Sequence, residues 1–342
     1  MTKPEEVVSW LGAVQAQDYG GALWAIGLRL QRGCGETDIE RALASRKIVR
    51  TWPMRRTLHF VAAEDARWML RLLTPRVVAA SAQRAEQWLG LDEAVFTRSK
   101  KLLERALSGG KQLTRARMYE VLEAGRISSG DGRGMHILCR LAQDGLICFS
   151  AREGKQPTFA LLEEWVPAAK LLTREEALAK LASRYFTSHG PATLQDFVWW
   201  TGLLTSDARA ALEMAKPQLV EESIAGQKYW LAANSLTAQD ELPPAHLLPS
   251  FDEYMVAYKD RSAVLNPVHT KLHNSGNGIF NPTMIINGRV VGTWKRALKK
   301  DALVVTLSPF AKLKQAETRA FIPAANRYGK FLGASISTLQ IH

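Results

Sequence analysis

Apolar positions change period several times along this chain, and the same succession of periods recurs. Val7, Leu11 and Val14 recur at helical spacing, then Leu23, Ile26 and Leu30. Residues three and four apart share one helix face, so each set predicts a helix. A third helix is predicted over Asp38–Ser45, after the Gly33-Cys34-Gly35 turn. The period then shortens. Ile48–Trp52 and Thr57–Ala62 read as two strands around Pro53-Met54-Arg55-Arg56. A second round follows. Thr114 is placed to cap a helix over Arg115–Glu123, because its hydroxyl can accept from one of the first free N–H groups. A polar loop from Ser128 to Gly132 leads to a helix over Gly134–Asp144, ended by Gly145. Leu146–Phe149 and Thr158–Leu162 then flank the turn Arg152-Glu153-Gly154-Lys155. In a third round Thr193 caps a short helix through Trp200, Thr205 caps Ser206–Ala215, and Leu219–Ile224 and Lys228–Leu231 form a hairpin around Ala225-Gly226.

Helices followed by a β-hairpin are the layout of a winged helix, a helix-turn-helix variant. The expected fold class is therefore α+β: three tandem winged-helix (helix-turn-helix) modules with a C-terminal β-rich segment. The modules span residues 1–62, 94–170 and 171–240, with a helical connector over 63–93. Beyond Pro243-Pro244 the segment 241–342 carries β-prone runs at Thr283–Ile286, Val290–Trp294 and Leu303–Leu307. Asn287-Gly288 is a two-residue hairpin signal, and helix returns over Pro309–Tyr328. Trp52, Trp199 and Trp200 read as core residues.

Composition narrows the class. The chain has 342 residues, 46% hydrophobic and 23% charged, which is a globular balance. It holds no apolar run of the roughly 18 residues a membrane span needs, and its start, MTKPEEVV, lacks the pattern of a secretory signal. Cys34, Cys139 and Cys148 are few and widely spaced, which points to a reducing, cytoplasmic setting and not to a disulfide framework. The balance of 45 Lys and Arg against 33 Asp and Glu leaves +12. From Arg289 onward, ten basic residues face only Asp301 and Glu317, so +8 of that charge lies in the last 54 residues. A second basic knot is Arg46-Lys47, Arg50 and Arg55-Arg56. Such a surplus suits a polyanion, with double-stranded DNA at the nucleoid the expected partner and the chain acting as a monomer. No GxxxxGK[ST] loop, no GxGxxG between strand and helix, and no GxSxG elbow is present, which disfavours nucleotide hydrolysis, dinucleotide chemistry and α/β-hydrolase activity. His269 and His273 stand four apart, but Pro267 and the Asn-Gly-rich stretch after His273 predict a loop, so no metal and no other cofactor is expected.

Five stretches carry a resemblance: VSWLGAVQAQDYGGALWAIGLRL at 8–30, RTWPMRRTLHFV at 50–61, HGPATLQDFVWWTGL at 189–203, LLPSFDEYMVAYKDRS at 247–262 and NGIFNPTMIINGRVVGTWKR at 277–296. Together they resemble the AlkZ-type DNA glycosylase family. The resemblance implies tandem winged helices and excision of alkylated purines from DNA, in some members with unhooking of interstrand cross-links. The family's motif of Gln, an apolar residue and Gln falls on Gln15, Ala16 and Gln17. Arg56 departs from the pattern, standing where members commonly carry Gly, and would alter the backbone if positive φ were needed there.

The chemistry suits such a motif. A purine alkylated at N7 or N3 is already cationic and leaves as a neutral base, so no general acid is required. What remains is to place a water at the anomeric carbon and to stabilise an oxocarbenium-like sugar. A Gln carbonyl can do both. On a continuous helix Gln15 and Gln17 would lie about 200° apart, so either the first helix ends before Gln15 or only one Gln touches the reacting centre. Asp18 is the neighbouring carboxylate, alternatively an N-cap. His59 lies on the second predicted strand and is either a packed strand residue or a supporting group. Asp252 belongs to a charged set with Glu253, Asp260 and Arg261 that reads either as an ion-pair network or as a source of a supporting carboxylate. Arg55, Arg56, Arg261, Lys295, Arg296, Lys299 and Lys300 are the expected DNA contacts. No Lys stands out as a Schiff-base nucleophile, so simple hydrolysis without strand cleavage is expected. The rival reading is a non-enzymatic winged-helix DNA-binding protein or transcription regulator. The predicted third helices offer only Arg41, Arg140, Gln143 and Arg209 for base edges, which favours readout of shape or damage.

Overall fold

A computed structural model describes the chain except residues 32, 170, 234–243, 275, 277, 300, 301 and 342 and the side chains of 298, 299 and 337. Helix α1 (Pro4–Leu11) stops at Gly12, whose φ of 80° breaks the helical run. A Cβ at Gly12 would lie 3.2 Å from the Arg184 side chain and 3.3 Å from the Trp200 ring, so close packing also selects glycine there. Val14, expected on the helix, instead begins strand β1 (Val14–Gln15). Asp18 caps α2 (Tyr19–Gly27) by accepting from the Gly21 N–H at 3.2 Å. Then come α3 (Glu36–Ala44), β2 (Ile48–Met54) and β3 (Thr57–Ala62). The connector is one long helix, α4 (Ala63–Leu89), which accommodates Pro75.

The next stretch comprises α5 (Glu93–Leu107), β4 (Leu113–Thr114), α6 (Arg115–Ala124), α7 (Arg133–Gln143), β5 (Ile147–Phe149), β6 (Thr158–Leu161) and α8 (Leu162–Trp165). Thr114 caps α6 as expected, accepting from the Arg117 N–H. Beyond it lie α9 (Arg174–His189), α10 (Leu194–Thr201), α11 (Thr205–Ala215), β7 (Leu219–Ile224) and β8 (Gln227–Ala232). Thr193 caps α10 in a reciprocal box with Asp196, whereas Thr205 is the first residue of α11 and not its cap. Trp200 is wholly buried, but Trp199 is 44% exposed and not a core residue.

The C-terminal segment holds β9 (Ala245–Leu248), α12 (Glu253–Val256), α13 (Thr270–His273), β10 (Thr283–Ile286), β11 (Arg289–Lys299), β12 (Ala302–Pro309), α14 (Gln315–Phe331) and β13 (Ser335–Ile341). Asn287 and Gly288 take φ of 46° and 76°, the hairpin geometry their identity predicts. Pro309 ends β12, so the last helix begins later than periodicity suggests. The loop expected around His269 and His273 is a helical turn. The two rings part company: His269 stacks on Phe310, and His273 is buried with Nε2 at 2.9 Å from the Thr283 hydroxyl.

The strands form three sheets. One has the order β1-β3-β2-β5-β6-β4, so the first two hairpins join through the pairing of Arg50 with Phe149. β7 and β8 pair with each other, and the third sheet runs β13-β12-β11-β10-β9, with β13 parallel to β12 across α14. Helices α1 to α3 bury Val7, Leu23, Trp24 and Ile26 in one core with Trp294, Leu307 and Tyr328 of the C-terminal segment. The indole N–H groups of Trp24 and Trp294 donate to the Leu247 and Leu248 carbonyls, both at 2.7 Å, satisfying polar groups the packing would otherwise strand. A second core joins α4 to α9, α10 and α11. The start of the chain is thereby held between the third helical group and the C-terminal sheet.

Candidate active site

Because α1 ends at Leu11, Gln15 lies on an extended edge strand, paired with His59 of β3. The sheet-facing N–H of Ala16 donates to the Leu58 carbonyl at 2.7 Å. The N–H of Gln15 therefore points out of the sheet, where the carboxylate of Glu253 accepts it at 3.0 Å. Gln15 is 8% exposed, and its side-chain amide takes no hydrogen bond among the described residues. Gln17 is exposed, and its Oε1 accepts from the Leu58 N–H at 3.3 Å. The helical obstacle to a shared role for the two glutamines is absent.

His59 is buried, and its hydrogen bonds define its state. Arg55 Nη2 lies 3.3 Å from Nε2, and the Thr57 carbonyl lies 3.0 Å from Nδ1. A guanidinium can only donate and a carbonyl only accept, so Nε2 carries the lone pair and Nδ1 the proton. Burial, then the nearby Arg55 charge, drives the imidazolium pKa down to about 3, so His59 is neutral and its lone pair is engaged. It orients Arg55 and is not poised as a base. Burial likewise lowers Arg55, and the charge of Glu253 opposes that effect.

Glu253 is the carboxylate at this centre. Burial alone would raise its pKa, but His189, whose Nε2 is 3.6 Å away, and the Arg55 charge bring it below the ordinary carboxylate value. Its Oε2 also accepts from the Trp200 indole at 2.9 Å. Asp252, read either as an ion-pair member or as a supporting carboxylate, takes the ion-pair role. It binds the Arg29 guanidinium through both oxygens, at 2.8 and 2.9 Å, and caps α12 through the Tyr254 N–H. Asp18 is engaged in capping α2. Adjacent acidic residues give no sequence signal of which one faces the site. Glu253, His189 and Trp200 all fall inside the stretches quoted above, but they come together only through packing.

The basic candidates divide. Arg56 is exposed at the tip of the β2–β3 hairpin, while its neighbour Arg55 turns inward to His59. Arg261 is partly buried, over the rings of Phe280 at 4.9 Å and Trp199 at 5.6 Å, and its pKa is lowered by burial and by Arg55. Lys295 and Arg296 are exposed on β11. The Arg296 guanidinium lies over Tyr328 and reaches the start of α2, where a Cβ on Gly20 would stand 2.9 Å from Nη2. That end of β11 therefore approaches the segment just beyond Gln17. Lys299 ends β11, its side chain outside the described part, and Lys300 lies outside the described residues. Among the described residues no three His, Cys, Asp or Glu side chains converge as a metal site, and no helix is long and apolar enough to cross a membrane.

An α+β chain with a glutamine-bearing edge strand beside a buried carboxylate, and basic side chains exposed around it, has the character of a DNA-processing enzyme. Residues 8–331 match the family described as DNA glycosylase AlkZ-like, and the chain belongs to that family of DNA-binding hydrolases. An interstrand DNA cross-link repair glycosylase of Streptomyces sahachiroi is 28% identical over 98% of this chain and 92% of its own. The solved structure of Streptomyces sahachiroi DNA glycosylase AlkZ superposes with a TM-score of 0.80 at 24% identity, covering 100% of this chain and 94% of that one.

Proposed function

We propose that this DNA glycosylase hydrolyses the N-glycosidic bond of cationic alkylated purines in duplex DNA, purines held in interstrand cross-links included, with the attacking water positioned by Gln15 and Gln17. The observation that carries this reading is the unengaged amide of Gln15 on an extended strand, with Gln17 two residues on. The carbonyl of Gln15 orients a water toward the anomeric carbon and presents partial negative charge to the sugar as it becomes oxocarbenium-like. The C1′–N bond breaks with its electron pair going to the cationic base, which leaves neutral. Water adds to C1′, and its surplus proton passes to solvent. No amine is used, so the product is an intact strand with an abasic site. The cross-link specificity named for the Streptomyces sahachiroi relative supports extending the reading to bridged purines.

Arg56, Arg261, Lys295, Arg296, Lys299 and Lys300 are assigned to the phosphate backbone, and Arg55 to the site wall. Residues 1–62, 94–170 and 171–240 act in this reading as three winged-helix modules joined by the helix of 63–93, with the C-terminal segment closing the surface. The free thiols of Cys34, Cys139 and Cys148 suit a reducing cytoplasm, and in this reading the enzyme works as a monomer at the nucleoid.

The test is base release from a duplex carrying one N7-methylguanine, followed by chromatography. Release with an uncut strand and no borohydride-trapped adduct is expected. Gln15→Ala and Gln17→Ala should each slow it by about a hundredfold to a thousandfold, the range for a lost transition-state contact. Undiminished release by both variants would remove the glutamines from the mechanism.

A further inference from the structure

Glu253 is a buried carboxylate that this mechanism does not use. It is 1% exposed, and among the described residues no Lys or Arg nitrogen lies within 4.0 Å of it. A buried carboxylate is costly even with His189 3.6 Å away, and an outward N–H on an edge strand needs only a neutral acceptor. Stability alone therefore does not account for a carboxylate here. Its two oxygens are held from different parts of the chain: Oε1 by the Gln15 N–H, Oε2 by the Trp200 indole with His189 beside it. The plane of the carboxylate is thus locked, and its charge sits against the backbone of Gln15, two residues before Gln17. Arg55 is near enough to be felt, but its guanidinium is turned to His59.

We infer that Glu253 is a positioning residue for base excision. It fixes the orientation of the Gln15–Gln17 segment through the Gln15 N–H and provides a preorganised negative potential beside it that favours the oxocarbenium-like sugar. This rests on the function proposed above. The charge is not transferred, and Glu253 stays ionised throughout.

The experiment measures single-turnover release of N7-methylguanine, DNA Kd and Tm for the full chain and for Glu253→Gln, Glu253→Asp and Trp200→Phe. Glu253→Gln should leave Kd within about twofold yet slow excision by about a hundredfold, the loss typical of a preorganised electrostatic group. Glu253→Asp keeps the charge and should be slowed less. In a Gln15→Ala background, Glu253→Gln should add little, because residues acting as a unit are non-additive. Trp200→Phe removes the N–H that holds Oε2 together with part of a buried ring, a packing loss that Tm reports, and should slow excision per folded molecule without weakening DNA binding; it carries the test if Glu253→Gln does not fold. Wild-type rates in Glu253→Gln, or a greater loss in Glu253→Asp, overturn the inference. So does a loss of equal size with and without Gln15, or an unaffected Trp200→Phe. If the inference fails in this way while Gln15→Ala still slows release, the proposed function stands alone. A wild-type chain that releases no alkylpurine removes both.

Discussion

Arg55 and Arg56 occupy the two central positions of a hairpin turn with φ of 51° and 59°. That turn demands positive φ at both positions, and a residue with a Cβ pays about 1–2 kcal/mol for it. The departure at Arg56 thus falls where the backbone does need a left-handed residue. Replacing Arg56 by Gly should stabilise the fold by about 1 kcal/mol, seen as a Tm raised by about 2 °C. With Arg56 assigned to the phosphate backbone as proposed above, it should also reduce the slope of log Kd against log salt by about one. His59 makes a different prediction. Its folded pKa of about 3 lies below its ordinary value of 6.5, so the unfolded chain binds the proton first as pH falls. Stability is therefore full above about pH 6.5 and declines below it, by up to about 1.4 kcal/mol per pH unit while only the unfolded state is protonated. His59→Gln should flatten that decline in denaturant titrations at several pH values. A slope unchanged by the substitution would place the proton uptake elsewhere, with His273, lowered to about 4, the next group to test.

At the scale of elements, the short α1 matters most. The apolar spacing of Val7, Leu11 and Val14 extrapolates a helix through Gln15, but Gly12 stops it, and the motif becomes a strand. The hairpins and the Thr114 and Thr193 caps were legible because turn and cap chemistry is local. Strand β13 was not, because it is satisfied by pairing with β12 across a helix, and no nearby turn announces it. The element α12 shows the same limit. Asp252 and Glu253 are neighbours with opposite duties, one binding Arg29 and capping the helix, the other meeting Gln15. Asp252→Ala should cost about 3–5 kcal/mol, the price of leaving Arg29 without its buried partner. Urea unfolding would report that loss. Excision per folded molecule should hold, in contrast to Glu253→Gln.

Across the whole molecule, the first two hairpins share one sheet through Arg50 and Phe149, so the parts that sequence reading divides at 62 and 94 are mechanically joined. Arg50 also donates to the Ala16 carbonyl at 2.8 Å, tying that junction to the glutamine strand. The surplus of +12 predicts strongly salt-dependent DNA binding. Lys295→Gln with Arg296→Gln should lower the salt slope by about two and weaken all duplexes alike, damaged or not. A change confined to damaged DNA would place these two residues at the lesion and not on the backbone.

The amino-acid sequence by itself determined the local conformations, the hairpin turns, the caps, the excess of positive charge and the glutamine motif, because each depends on residues within a few positions of one another. Tertiary structure decided which of two adjacent carboxylates meets Gln15, which arginine faces inward, and that His59 is neutral with its lone pair engaged. Those outcomes depend on burial and on partners far apart in the chain, as with Gln15 and Glu253, 238 residues apart, and no local period encodes which of two adjacent acids will be carried into contact.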